Sequence, residues 1–135
     1  IQLEIRSLEF ATFFADINRG SFQVFSLIRT AILDPHIYRV TLHSESIPPR
    51  GQNRGRYRNA ELDRMIDLGA GLVEVEARRP YYLRAQEILA AELPYISLFT
   101  RKTVGVLAAG LEGYQSYPAG ELLSVRQLHW ADQRR

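Results

Sequence analysis

The chain has 135 residues and a mass of 15.5 kDa. With 46% hydrophobic residues, 24% charged residues and a formal charge of +2, it has the proportions of one folded domain and not of a disordered, collagenous or repeat sequence. It contains no cysteine, which excludes disulfides, thiol nucleophiles, iron–sulfur clusters and cysteine-based zinc sites, and its longest apolar stretches, such as residues 88–93, fall far short of the roughly 20 residues of a membrane span.

Residues 2–6 alternate Leu3 and Ile5 with polar neighbours, the period of a strand. Ser7 is placed to cap a helix over residues 8–19, where Phe10, Phe13, Phe14 and Ile17 recur at three and four and Gly20 supplies the C-terminal cap. Residues 22–29 are a near-continuous apolar run, which suits a strand covered on both faces of a parallel sheet. Together these segments read as a βαβ unit. Ligands of open α/β sheets gather beyond the carboxyl ends of such strands, so Arg29, Thr30, Ala31, Ile32, Leu33 and Asp34 are candidate cleft residues by position.

Asp34 and Pro35 open a short helix reaching about His43. Residues 44–58, with Pro48, Pro49, Gly51 and Gly55, form a long loop, and loops of this length in small domains are functional or packed along a neighbour. Four arginines lie there: Arg50, Arg54, Arg56 and Arg58. They read as a phosphate or nucleic-acid patch or, in better accord with the near-neutral total charge, as a solvated or partner-packed loop. Asn59 caps the next helix, with Glu61 in its first turn and Leu62, Met65 and Ile66 on one face, until Gly69 and Gly71 weaken it. A longer helix spans residues 76–93, with Tyr82, Ala85, Leu89 and Leu93 on one face, Pro80 near its start and Pro94 ending it. Residues 95–99 and 103–107 read as short strands, followed by a turn-rich tail that ends in Leu128, His129 and Trp130.

Little in these residues points to catalysis. His36 and His43 fall two turns apart on one helix face, about 10 Å, too far to share a metal, and a surface or capping role fits them better. Gly105 and Gly110 have the spacing of a phosphate loop, but Leu111 and Glu112 follow where Lys and Ser or Thr are required. Glu61, Asp63 and Asp67 cluster on a helix, with Asp63 and Asp67 at i and i+4; such carboxylates can serve acid/base work, but a solvated face beside Arg64 is the commoner pattern. A hydrolase would need a base and a nucleophile that the sequence does not place together.

Five segments carry a resemblance: residues 3–14 (LEIRSLEFATFF), 22–35 (FQVFSLIRTAILDP), 55–68 (GRYRNAELDRMIDL), 78–98 (RRPYYLRAQEILAAELPYISL) and the pair Gly113 and Tyr114. The third is similar to a G-Y-x-N-x-E-x-D signature opening a helix, and the fourth to an R-x-x-L-Y-x-x-A-Q-x-I-L helix with a P-x-x-P-L strand after it. In this order they resemble the C-terminal part of family 5 extracytoplasmic solute-binding proteins, the oligopeptide, dipeptide and nickel receptors of ABC importers.

That resemblance implies an α/β fold that is the C-terminal portion, mostly the second lobe, of a two-lobed type II periplasmic-binding-protein fold. Residues 1–101 would form part of the second lobe, and residues 102–135 a segment that returns to the first. The implied function is non-enzymatic: a peptide or related small solute is captured by lobe closure and handed to ABC permease subunits. No catalytic residue, cofactor or metal is implied, and the candidate cleft wall is Arg29, Thr30, Ala31, Ile32, Asp34 and Tyr57. The implied location is the periplasm or cell-envelope exterior. Because the chain begins at Ile1 and not at Met, the signal peptide and the first lobe are expected upstream, and the isolated piece is expected to self-associate through the surface the missing lobe would cover.

One departure bears on the ligand. Peptide-binding members of the family place an Asp four residues before the Pro of this motif, with a Trp three residues earlier, to hold the peptide ammonium; here those positions are Ala31 and Ile28. Ala31 offers no charge to a buried ammonium, so free-amine peptides are not expected to bind in the usual manner, and Arg29 is placed to face an anionic or polar group. No nucleic-acid partner is expected on this reading. The alternative is an autonomous α/β binding or regulatory domain whose basic loop contacts nucleic acid.

Overall fold

A computed structural model describes residues 2–29, 32–100, 102, 104–117 and 120–131. It divides the chain into two compact units, Ile1–Leu27 with Asp34–Ile96, and Ile28–Leu33 with Ser97–Arg135.

The first unit is helical. Helix α1, Phe10–Arg19, is capped by Glu9 and not by Ser7: the Glu9 carboxylate accepts from the backbone N–H of Ala11 and Thr12, which satisfies two of the donors a helix start leaves open. Those N–H groups hold the Glu9 carboxyl below its ordinary range. Gly20 ends the helix with φ +84°, the left-handed cap its position predicts. Helix α2, Ile37–Leu42, begins behind Asp34, whose carboxylate accepts from His36 N–H at 2.7 Å. A 3₁₀ turn at Ser44–Ser46 and the loop to residue 59 lead to α3, Ala60–Ala70, where Asn59 Oδ1 accepts from Leu62 N–H as the sequence predicts. Helix α4 runs Val75–Glu92, with Pro80 in its second turn and Leu93 in the left-handed conformation at its end.

The core lies between α2, α3 and α4. Leu42, Leu62, Ile66, Ala85 and Ile88 are buried together, and Tyr38, Tyr57, Met65 and Leu89 pack against them. The α4 face therefore turns on Tyr82, Ala85 and Ile88, while Leu93, expected on it, is exposed. Gly69 permits the close approach of α3 to α4, because a Cβ there would meet the Tyr82 ring at 2.9 Å. Arg84 of α4 also reaches Glu61 of α3 at 2.8 Å on the surface.

The second unit holds a two-stranded antiparallel sheet, β1 Leu111–Glu112 paired with β2 His129–Trp130, with Leu111 opposite Trp130 and Glu112 opposite His129. A 3₁₀ turn, Leu123–Gln127, precedes β2, and the hydroxyl of buried Ser124 donates to the Gln115 carbonyl at 2.6 Å.

The strands expected over residues 2–6, 22–29 and 95–99 are not formed, nor is one formed by the described part of 103–107. The architecture among the described residues is helix-dominated with one small antiparallel sheet. The reason is physical: a helix closes its hydrogen bonds within itself, but a strand needs a neighbouring strand to fill its ladder. Among the described residues no strand pairs with these segments. No helix among the described residues is long and apolar enough to cross a membrane.

Candidate functional site

The sequence-predicted cleft residues meet different fates. Asp34 forms a bidentate pair with Arg78 of α4, both contacts at 3.0 Å. The Arg78 hydrogen bonds and the His36 N–H hold the Asp34 carboxyl below its ordinary range, and the pair raises Arg78. Asp34 thus ties the turn before α2 to α4. Tyr57 packs against the core and donates its hydroxyl to Glu92, while Asn59 Nδ2 reaches the other oxygen of the same carboxylate at 2.7 Å. Burial, reinforced by the Glu92 carboxylate, pushes the Tyr57 phenol up to about 12. The Tyr and Asn of the 55–68 signature therefore clamp the start of α3 to the end of α4. Arg29 and Ile32 are exposed and belong to the second unit; Thr30 and Ala31 lie outside the described residues.

The long loop is organised by a residue the sequence reading passed over. Asn53 is fully buried; its amide donates to the carbonyls of Leu42, His43 and Tyr57, and its Oδ1 accepts from Tyr57 N–H. One side chain thereby satisfies the end of α2 and the approach to α3. An Asn between Gly51 and Gly55 was the available signal, since Asn is the side chain best able to pair with loop backbone. His43 is buried and caps the 3₁₀ turn by accepting from Glu45 N–H at 3.1 Å, with Asp67 3.4 Å from its other nitrogen. Asp63 accepts from Ser44 N–H at 2.9 Å. Asp63 is therefore no solvated face: with Asp67 it anchors the loop. Among the described residues no group of three or more His, Cys, Asp or Glu is placed to hold a metal ion.

The basic residues of the loop separate. Arg50 and Arg58 are exposed, whereas Arg54 is 5% exposed and lies over the Phe14 ring with its guanidinium carbon 4.5 Å from the centroid. Arg54 Nε donates to Asn18 Oδ1 at 2.8 Å. Phe14 and Asn18 are four apart on α1, so both face the loop. Arg56 donates to the Arg19 carbonyl at 2.8 Å, a cation at the negative end of α1, and it does so from a backbone φ of +53°. It passes so close to Gly20 that a Cβ there would meet Arg56 Nε at 2.8 Å. Asn18, Arg19, Arg54 and Arg56, with Pro48, Pro49 and Gly51, line a depression of about 520 Å³.

Comparison with known proteins adds no relative: no family model matches the chain, and neither the curated proteins nor the solved structures give a match.

Proposed function

We propose that the chain is part of the solute-binding component of an ABC import system, a non-enzymatic receptor that captures a peptide or related small solute by lobe closure and delivers it to permease subunits outside the cytoplasmic membrane. The observation that carries this reading is the state of the apolar segments outside the helices. Ile5 is 93% exposed, Val24 80% and Val106 93%, in stretches whose composition is that of sheet strands. Such surface marks an interaction site or an uncovered interior, and the remainder of a two-lobed receptor is the occupant the five-segment resemblance names. The contacts of Tyr57 and Asn59 with Glu92 support it further, because residues of the 55–68 signature join the two helices that carry the third and fourth resembling segments. Contact with nucleic acid draws less support, since Arg54 and Arg56 are turned onto α1 instead of forming an open stripe.

The test begins with the coding DNA upstream of the Ile1 codon. An open frame running back through a first lobe to a signal peptide, whose full product binds solute with a rise in melting temperature, is the expected result. A start codon directly before Ile1 overturns the proposal. Calorimetry on the full product addresses the amine: with Ala31 in place of the family's Asp, acetylating a bound peptide's N-terminus is expected to leave affinity unchanged.

A further inference from the structure

We propose that residues 2–8 are a docking edge for a second copy of this chain, the two segments pairing antiparallel about a two-fold axis at Ile5. The segment is exposed throughout, with Leu3 75% and Ile5 93% accessible. Among the described residues its backbone takes part in no hydrogen bond, and Glu4 and Arg6 have no ion-pair partner. Its apolar and polar residues alternate as in a strand, and the backbone groups it leaves open are those another strand fills.

The charges select both the partner and the register. In antiparallel pairing about Ile5, residue 4 of one copy faces residue 6 of the other, so Glu4 meets Arg6 on each side of the axis. Ile5 faces Ile5 and Leu3 faces Ser7, which gathers the apolar side chains on one face. The competing registers are penalised. Parallel in-register pairing sets Glu4 against Glu4 and Arg6 against Arg6, and an antiparallel pair centred on Glu4 or on Arg6 opposes like charges at its centre. A slip of one residue puts Ile5 opposite Glu4 or Arg6 and mixes the apolar and charged faces. A pattern complementary to itself is what an isologous contact between identical chains requires. The inference goes beyond the receptor reading and does not rest on it, because the pattern lies within residues 3–7 of this chain alone.

The experiment uses the 135-residue chain, which contains no cysteine, so a single introduced thiol meets only its own copy. In a mildly oxidising buffer Ile5→Cys is expected to form disulfide-linked dimers roughly tenfold faster than Leu3→Cys. Residue 5 lies opposite itself, within the Cα spacing a disulfide needs, whereas the two copies of residue 3 stand about 14 Å apart along the strands. Sedimentation velocity reads the charges. Glu4→Arg or Arg6→Glu alone turns both ion pairs into like-charge contacts and is expected to weaken dimerisation roughly tenfold, and the two changes together restore it. Helical far-UV signal is expected to stay constant throughout, since both side chains are exposed. A monomeric wild-type chain, equal crosslinking at positions 3 and 5, or charge reversals that the double variant does not rescue would overturn the proposal and leave this edge to other chain. The coding DNA upstream of Ile1 tests the receptor reading separately, so the failure of one is distinguishable from the failure of the other.

Discussion

Two regions of this molecule have similar apolar content and opposite fates. The segment from α2 to α4 buries Leu62, Ile66 and Ala85 completely, whereas residues 2–8, 22–29 and 95–107 leave Leu3, Ile5, Val24, Ile96 and Val106 exposed. The difference is one of closure. An amphipathic helix meets its own backbone hydrogen bonds and needs only one apolar partner, which its neighbour along the chain supplies. A strand needs a ladder beside it and a layer above or below it, and both come from distant chain. Apolar composition commits a segment to an interior; local sequence separation decides whether the interior is at hand.

The largest test of this contrast is removal of a core side chain. Leu62→Ala is expected to destabilise the helical unit by about 2–5 kcal/mol, the transfer and cavity cost of a fully buried leucine, with loss of far-UV helical signal at lower urea. A smaller effect separates the clamp from the core. Folded Tyr57 holds its proton above the ordinary phenol range, at about 12. The stabilisation from its neutral phenol is thus complete below pH 10 and declines as the pH rises from about 10 to 12, where the unfolded phenol releases its proton and the folded one does not. Tyr57→Phe is expected to flatten that alkaline decline in urea denaturation without altering stability at pH 5 relative to pH 7. A wild-type decline that persists unchanged in the variant would place the titrating group elsewhere.

The helices were legible because their signals are local: Asn59 at a start, Gly20 at an end, and the Leu62 and Ile66 spacing between. Errors at their edges are equally local. Glu9 outcompeted Ser7 as a cap because it lies immediately before the first helical residue, and a side-chain oxygen there reaches the second and third N–H groups. The site was less legible, because its residues meet across long separations. Asp34 finds Arg78, Tyr57 finds Glu92, and Arg54 finds Phe14 and Asn18; no period or motif encodes those pairings. The basic loop was visible as a run of arginines, but its division into inward Arg54 and outward Arg50 depends on where α1 packs. The small sheet was missed because two residues per strand are too few to show alternation.

The finest test lies in the exposed segments themselves. Ile5→Ser and Val24→Ser remove apolar surface without removing a buried contact, so each is expected to change the stability of the isolated chain by no more than about 0.5 kcal/mol. Their effect belongs to association. Single exposed hydrophobic residues are ordinary, but several in one stretch promote pairing between copies, and unpaired extended backbone adds a template for it. Sedimentation velocity of the wild-type chain is expected to show concentration-dependent oligomers, and the double variant a shift toward monomer at unchanged helical content. A wild-type chain that stays monomeric at high concentration would mean these segments are tolerated surface and would remove the main support for a missing partner. Restoration of the monomer without loss of stability would show that the two regions answer to different partners: the helices to each other, and the exposed segments to chain they do not find here.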